Sequence, residues 1–125
     1  MLVVKKFGGT SVGNPERIKK VAQKCAQAYH EGQDLVVVLS AMGQVTDELI
    51  ALANQINPNA PKREMDALLT TGEQTSVALM AMALDSLNIP AVSLNAFQVP
   101  MLTTMDYGNE KIKKIDSGRI LREIE

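Results

Sequence analysis

The residues best suited to chemistry come early in the chain. Lys6-Phe7-Gly8-Gly9-Thr10-Ser11 sets a lysine just ahead of two glycines and two hydroxyl residues, and Val12-Gly13 follows. Glycines let backbone amides approach anionic oxygens and a lysine adds positive charge, so the run has the make-up of a phosphate cradle. A plain strand-to-helix turn is the alternative reading of the same residues. Two better-defined motifs are excluded. Gly8 and Gly13 have the glycine spacing of a Walker A loop, but Asn14-Pro15 stands where lysine and a hydroxyl residue are required. The glycines at 8, 9 and 13 also miss the first, third and sixth places of a dinucleotide fingerprint. Farther along, Glu73 is the one charged residue between Ala67 and Leu84. Buried there, its carboxylate would need a cationic partner; a first-turn glutamate favoured by the helix dipole is the bland alternative.

These residues must be held by the elements around them. Leu2 to Phe7 is short, apolar and valine-rich and runs straight into glycines, as a buried strand does. Asn14-Pro15 then opens a helix: asparagine caps free amides, proline suits the first helical position, and Ile18, Val21, Ala22, Cys25, Ala28 and Tyr29 keep helical spacing up to a stop at Gly32. Leu35 to Leu39 is a run of apolar residues, the mark of a strand buried on both faces, and it breaks at Ser40-Ala41-Met42-Gly43. Val45, Leu49, Leu52, Ala53 and Ile56 form the face of a second helix that ends at Asn57-Pro58-Asn59-Ala60-Pro61. A third helical pattern runs from Met65 to Leu87, either as one helix or divided in two at Thr70-Thr71-Gly72. Pro90 to Leu94 reads as a strand, 110–115 as a half-exposed strand paired with Leu102 to Thr104, and Asp116 or Ser117 as the cap of a last helix through Ile120, Leu121 and Ile124. The alternation predicts an α/β fold, a three-layer sandwich with a mainly parallel sheet, in which ligands bind beyond the carboxyl ends of the strands. Gly8 to Gly13 and Ser40 to Gly43 both lie at such ends.

Composition narrows the function. The chain has 125 residues, 46% of them hydrophobic, enough for a single core. Its formal net charge is -1, from 13 Lys and Arg against 14 Asp and Glu, so no charge excess points to nucleic acid or to a membrane surface. The basic run Lys111, Lys113, Lys114, Arg119 and Arg122 is interleaved with Ile and Leu, a solvated face. The single cysteine, Cys25, lies among apolar helical positions and predicts core packing in a reduced compartment, the cytoplasm. His30 stands alone, the methionines fall mostly at helical spacing as core filler, and no metal-ligand spacing is present.

Three motifs now agree in order and spacing. Lys6-Phe7-Gly8-Gly9-Thr10-Ser11-Val12 resembles the opening signature of aspartate kinases within the amino acid kinase family. Ser40-Ala41-Met42-Gly43 with Thr46 is similar to that family's second loop, and Thr71-Gly72-Glu73 to its acidic substrate motif; Tyr107-Gly108-Asn109 is similar to a later, less telling segment. The resemblance implies transfer of the γ-phosphoryl group of MgATP to the side-chain carboxylate of L-aspartate, giving 4-phospho-L-aspartate. It also implies roles: Lys6 as the catalytic cation, with Phe7, Gly8, Gly9, Thr10 and Ser11 binding the ATP phosphates. Ser40 and Thr46 would be hydroxyl donors to the substrate and Glu73 the partner of its α-ammonium group, against helix-cap readings for the two hydroxyls.

The resemblance covers only the front of the family's catalytic domain. Residues 1–125 are then the amino-terminal, amino-acid-substrate part, without the nucleotide half or regulatory domains, and the helical pattern still running at Glu125 predicts a truncated chain. Little kinase activity is expected of this length alone, and exposed strand edges favour a homo-oligomer. A non-catalytic binding or assembly fragment, or a sister kinase acting on another acidic substrate, are the competing readings.

Overall fold

In a computed structural model, residues 1–95, 98–99, 101–103, 112–115 and 117–124 are described. β1 (Leu2–Phe7) and β2 (Asp34–Leu39) pair in parallel, Leu2 opposite Asp34 through to Phe7 opposite Leu39. Parallel neighbours need a crossover, and α1 (Pro15–His30) supplies it with both ends sealed as the sequence predicts. The Asn14 side-chain oxygen accepts the Arg17 amide at 2.9 Å, and Pro15 occupies the first turn. At the other end Gly32 takes φ +90°, with Gly32 N–H bonded to the Tyr29 carbonyl and Gln33 N–H to that of Ala28. This is the double-bonded glycine stop, and β2 starts two residues later with Asp34 N–H on the Met1 carbonyl.

α2 (Val45–Ile56) and α3 (Lys62–Ser86) follow, joined by a turn in which Asn57 accepts the Asn59 and Ala60 amides. α3 is one helix of 25 residues, so the division allowed for at Thr70-Thr71-Gly72 does not occur. The Thr70 and Thr71 hydroxyls bond carbonyls one turn back, at Ala67 and Leu68, which keeps them from competing with the helix, and Gly72 is buried against a neighbouring loop. Asn88 ends the helix in the left-handed region (φ 59°), and Ile89 folds back with its amide on the Leu84 carbonyl and its side chain in the core. The strand expected at Pro90 to Leu94 is absent. Among the described residues no strand pairs with it, and Pro90 has no N–H to give. β3 (Met101–Thr103) and β4 (Ile112–Ile115) pair as expected, and the pair is antiparallel; α4 (Gly118–Ile124) begins with Leu121 N–H on the Ser117 carbonyl. Tyr107-Gly108-Asn109, Lys111 and Asp116 fall outside the described residues.

The core lies on one face of the parallel pair. α1 and α3 pack on each other and on β2, enclosing Val12, Ile18, Val21, Cys25, Leu39, Met80 and Leu84. Phe7, Leu35 and Val37 close it from the sheet, the odd positions of a period-two pattern. The even positions point the other way, and there Leu2, Val4 and Val38 are 51%, 64% and 46% exposed. The α/β fold is thus as expected, with α1 and α3 packed on the odd face. Cys25 is buried as predicted. Burial pushes its thiol pKa up, opposed by the charge of Lys5.

Candidate active site

Because Phe7 and Leu39 stand side by side in register, the loops that follow the two strands begin next to each other. They are joined by backbone. Ser40 N–H donates to the Phe7 carbonyl at 3.2 Å and Gly43 N–H to that of Gly9 at 3.0 Å. No side chain fits between them: a Cβ on Gly9 would lie 2.9 Å from the Ala41 carbonyl oxygen, and Gly43, at φ +43°, packs on the backbone of Gly13. α3 reaches the same place. A Cβ on Gly72 would lie 2.8 Å from that of Ala41 and 3.4 Å from Val45 Cγ1, so the missing side chain is what lets the helix touch the loop. One glycine seam therefore joins the first loop, the second loop and the helix that carries Glu73.

The first loop is tied back internally, with Ser11 N–H on the Gly8 carbonyl and Gly13 N–H on that of Thr10. The amides of Gly9 and Thr10 have no acceptor among the described residues. Two consecutive free N–H groups in a glycine turn suit an anionic oxygen. Gly8 is exposed, and a Cβ there would meet nothing within 4 Å. Beside them stands a residue that sequence reasoning missed, Arg17, whose Nη1 donates to the Thr10 carbonyl at 2.7 Å. The Thr10 carbonyl thus accepts from both Gly13 N–H and Arg17, and the two bonds hold the turn that presents the free amides. A signal existed: a cation in the first turn of a helix opposes the dipole and calls for a compensating contact. Between the loops and the starts of α1 and α2 lies a cleft of about 550 Å³, its walls including Thr10, Gly13, Arg17, Gly43 and Glu48.

The other predicted residues are distributed around the seam. Lys6 is exposed on the open, even face of β1, Phe7 is half-buried, and Thr10 and Ser11 are exposed. Ser40 and Thr46 are half-buried, at the end of β2 and in the first turn of α2. Neither hydroxyl caps that helix, whose cap position is Gln44. Glu73 is exposed in the middle of α3, which removes its first-turn reading and also the burial cost expected for it. Among the described residues neither Lys6 nor Glu73 is in an ion pair, and of the predicted site residues only Thr10 lines the 550 Å³ cleft. Among the described residues of the basic run, Arg119 pairs with Glu123 at 2.7 Å.

Comparison with known proteins places this arrangement. The model of the amino acid kinase family matches residues 1–125, and the chain belongs to that family. Within it the chain is similar to aspartokinases. It is 51% identical over 121 residues to the aspartokinase of Geobacillus stearothermophilus, covering 97% of this chain and 30% of that one. The crystal structure of an aspartate kinase from Synechocystis superposes with a TM-score of 0.78 at 56% identity, over 79% of this chain and 17% of that one. E. coli aspartokinase III, in complex with lysine and aspartate, shares the fold: TM-score 0.71 at 20% identity, over 98% of this chain and 36% of that one. The chain thus spans about 30% of the length of the curated relatives it matches. Among the described residues no helix is long and apolar enough to cross a membrane.

Proposed function

We propose that this chain is the amino-terminal, amino-acid-binding part of an aspartate kinase, which transfers the γ-phosphoryl group of MgATP to the side-chain carboxylate of L-aspartate. The products are ADP and 4-phospho-L-aspartate, an acyl phosphate at the head of lysine, threonine and methionine synthesis. The observation that carries the reading is the glycine seam: it draws the three motifs of the resemblance, each about 80 Å or more of extended chain from the next at about 3.3 Å per residue, to one end of the parallel pair.

The chemistry suits these residues. A carboxylate with an ordinary pKa of about 3.9 is already ionised at neutral pH, so the acceptor needs no general base. The obstacle is the repulsion of two anions, and the remedy is positioning and fixed positive charge. The free amides of Gly9 and Thr10, with Lys6 and the loop of Phe7, Gly8 and Ser11, receive phosphate oxygens as the terminal P–O bond breaks toward ADP and a carboxylate oxygen bonds to phosphorus. Ser40 and Thr46 orient the acceptor, and Glu73 receives its α-ammonium group. Magnesium, held by phosphate oxygens and water, would supply charge neutralisation. A cytoplasmic homo-oligomer belongs to the same reading, supported by the exposed apolar face of Leu2, Val4 and Val38.

The test uses a protein continuing this chain to the length of the matched aspartokinases. It is offered MgATP with L-aspartate, L-glutamate or N-acetyl-L-glutamate in turn. ADP release with aspartate, and an acyl phosphate trapped by hydroxylamine, is the expected result; release with another acceptor and none with aspartate overturns the reading in favour of a sister kinase. The 125-residue chain alone is expected to turn over little or not at all.

A further inference from the structure

Three consecutive peptides decide where the free amides of the first loop point, and each is held by its carbonyl. In a trans peptide the N–H and the C=O point in opposite directions. The Gly8 carbonyl accepts Ser11 N–H at 3.1 Å and the Gly9 carbonyl accepts Gly43 N–H at 3.0 Å, so the amides of Gly9 and Thr10 are turned away from those bonds. The third peptide, between Thr10 and Ser11, accepts at its carbonyl from Gly13 N–H at 3.3 Å and from Arg17 Nη1 at 2.7 Å. The shorter bond has a charged donor, and such bonds are about twice as strong as neutral ones. Were this peptide to turn, Ser11 N–H would leave the Gly8 carbonyl. Gly8 is exposed and a Cβ there would meet nothing within 4 Å, so packing does not hold the peptide that carries the Gly9 amide. Arg17 governs that amide at one remove.

Helix stability does not account for an arginine at this place. Asn14 is the cap and Arg17 the third residue of α1, the position where a glutamate or glutamine reaches back to the amide of the cap residue, and a cation there opposes the helix dipole. Its root is fixed all the same, because the Arg17 amide is bonded to the Asn14 side chain at 2.9 Å. Gly13 keeps the path to the carbonyl clear: a Cβ there would lie 3.3 Å from the Thr10 oxygen and 3.7 Å from Arg17 Nη1. A residue that departs from the local rule and is guided to one carbonyl marks a functional constraint.

We propose that Arg17 is a positioning residue for phosphoryl transfer: it holds the peptide between Thr10 and Ser11 so that the amides of Gly9 and Thr10 stay aimed at phosphate oxygens, without itself binding substrate. Donors fixed in advance need no reorganisation as charge moves onto the leaving group. The inference rests on the reading of the first loop as the one that receives phosphate, and not on which amino acid is the acceptor.

The test compares Arg17→Ala with the parent in a protein of full aspartokinase length, with Lys19→Ala, exposed on the same helix, as the control. Arg17 is exposed too, so the fold should survive its loss. Arg17→Ala should lower kcat/KM for MgATP by about ten- to a hundred-fold, the scale of a misplacement of about 1 Å, and leave the KM for the acceptor unchanged. Guanidinium chloride below denaturing concentration should restore part of the loss, whereas urea, of similar shape but uncharged, should restore none. Lys19→Ala should match the parent. The same split is read with whichever acceptor the protein phosphorylates, so a turnover of glutamate in place of aspartate overturns the proposed function while Arg17 is judged on its own result. Where no acceptor is phosphorylated, titration with MgATP decides: binding weakened in Arg17→Ala and recovered with guanidinium supports the role, and unchanged binding overturns it. A loss no greater than in Lys19→Ala, an equal rise in the acceptor KM, or a loss that guanidinium does not relieve would each overturn it.

Discussion

Replacing Gly72 by alanine sets two effects against each other. In a helix interior alanine is favoured over glycine by about 1 kcal/mol, so a Gly72 free of neighbours would be improved by the change. The new methyl, however, would stand 2.8 Å from the Ala41 Cβ and 3.4 Å from Val45 Cγ1, where carbon atoms prefer about 3.5–4.0 Å. Relief requires roughly 1 Å of movement by that comparison. Ala41 is poorly placed to give it: it is 4% exposed and sits between Ser40, bonded to Phe7, and Gly43, bonded to Gly9. Overpacking of this kind costs about 1–3 kcal/mol, so Gly72→Ala should lose up to about 2 kcal/mol after the helical gain is set against it. Ala41→Gly in the same chain removes the methyl that is struck, and the two changes should couple by about 0.5–3 kcal/mol in a double-mutant cycle. Urea denaturation followed by circular dichroism, on the four proteins of the cycle, measures this. A single Gly72→Ala variant about 1 kcal/mol more stable than the parent, or a cycle that is simply additive, would refute the seam as a close-packed contact.

Asn14→Ala should cost about 1 kcal/mol of stability, because the Arg17 amide loses its side-chain acceptor at the start of α1; an unchanged denaturation midpoint would count against the cap. Cys25 gives a pH signature. Its folded pKa is raised above the ordinary 9.0, so the unfolded chain ionises first, and stability falls as pH rises through 9.0 toward the folded value, by at most about 1.4 kcal/mol per pH unit. Cys25→Ala should flatten that decline relative to the parent, whatever the lysines and tyrosines add to both; equal slopes would refute it. In the full-length kinase assay, Lys6→Met should lower kcat by about 10²–10³-fold and leave folding intact, since Lys6 is exposed. Glu73→Gln should chiefly raise the KM for aspartate; a change in the KM for ATP alone would contradict its assignment.

What was legible in the sequence was local. Asn14-Pro15 and Gly32 mark the ends of α1 because a cap and a left-handed stop are satisfied within a few residues. Pro90 to Leu94 was misread because a strand exists only through a partner, and residue preference says nothing about whether one is adjacent. Thr70-Thr71-Gly72 stayed open for a related reason: glycine weakens an isolated helix, but here its missing side chain makes a tertiary contact possible. That choice carried into the site, since a first-turn role for Glu73 required the break. The two loops were recognisable as chemistry-bearing, whereas their backbone union through Gly9 and Gly43, and the reach of Arg17 to the Thr10 carbonyl, depend on the parallel register that sets them side by side.

The two adjacent glycines of the first loop answer to different masters. Gly9 is closed off by the Ala41 carbonyl, so any side chain there is rejected by the fold itself, before a ligand is considered. Gly8 has open space where a Cβ would go and no left-handed backbone to maintain. A library of substitutions scored separately for folding and for ligand binding should therefore split this pair: Gly9 intolerant in both screens, Gly8 permissive in the first and restrictive in the second. The same reasoning makes Gly8 the position at which a lineage could lose its ligand while keeping its shape.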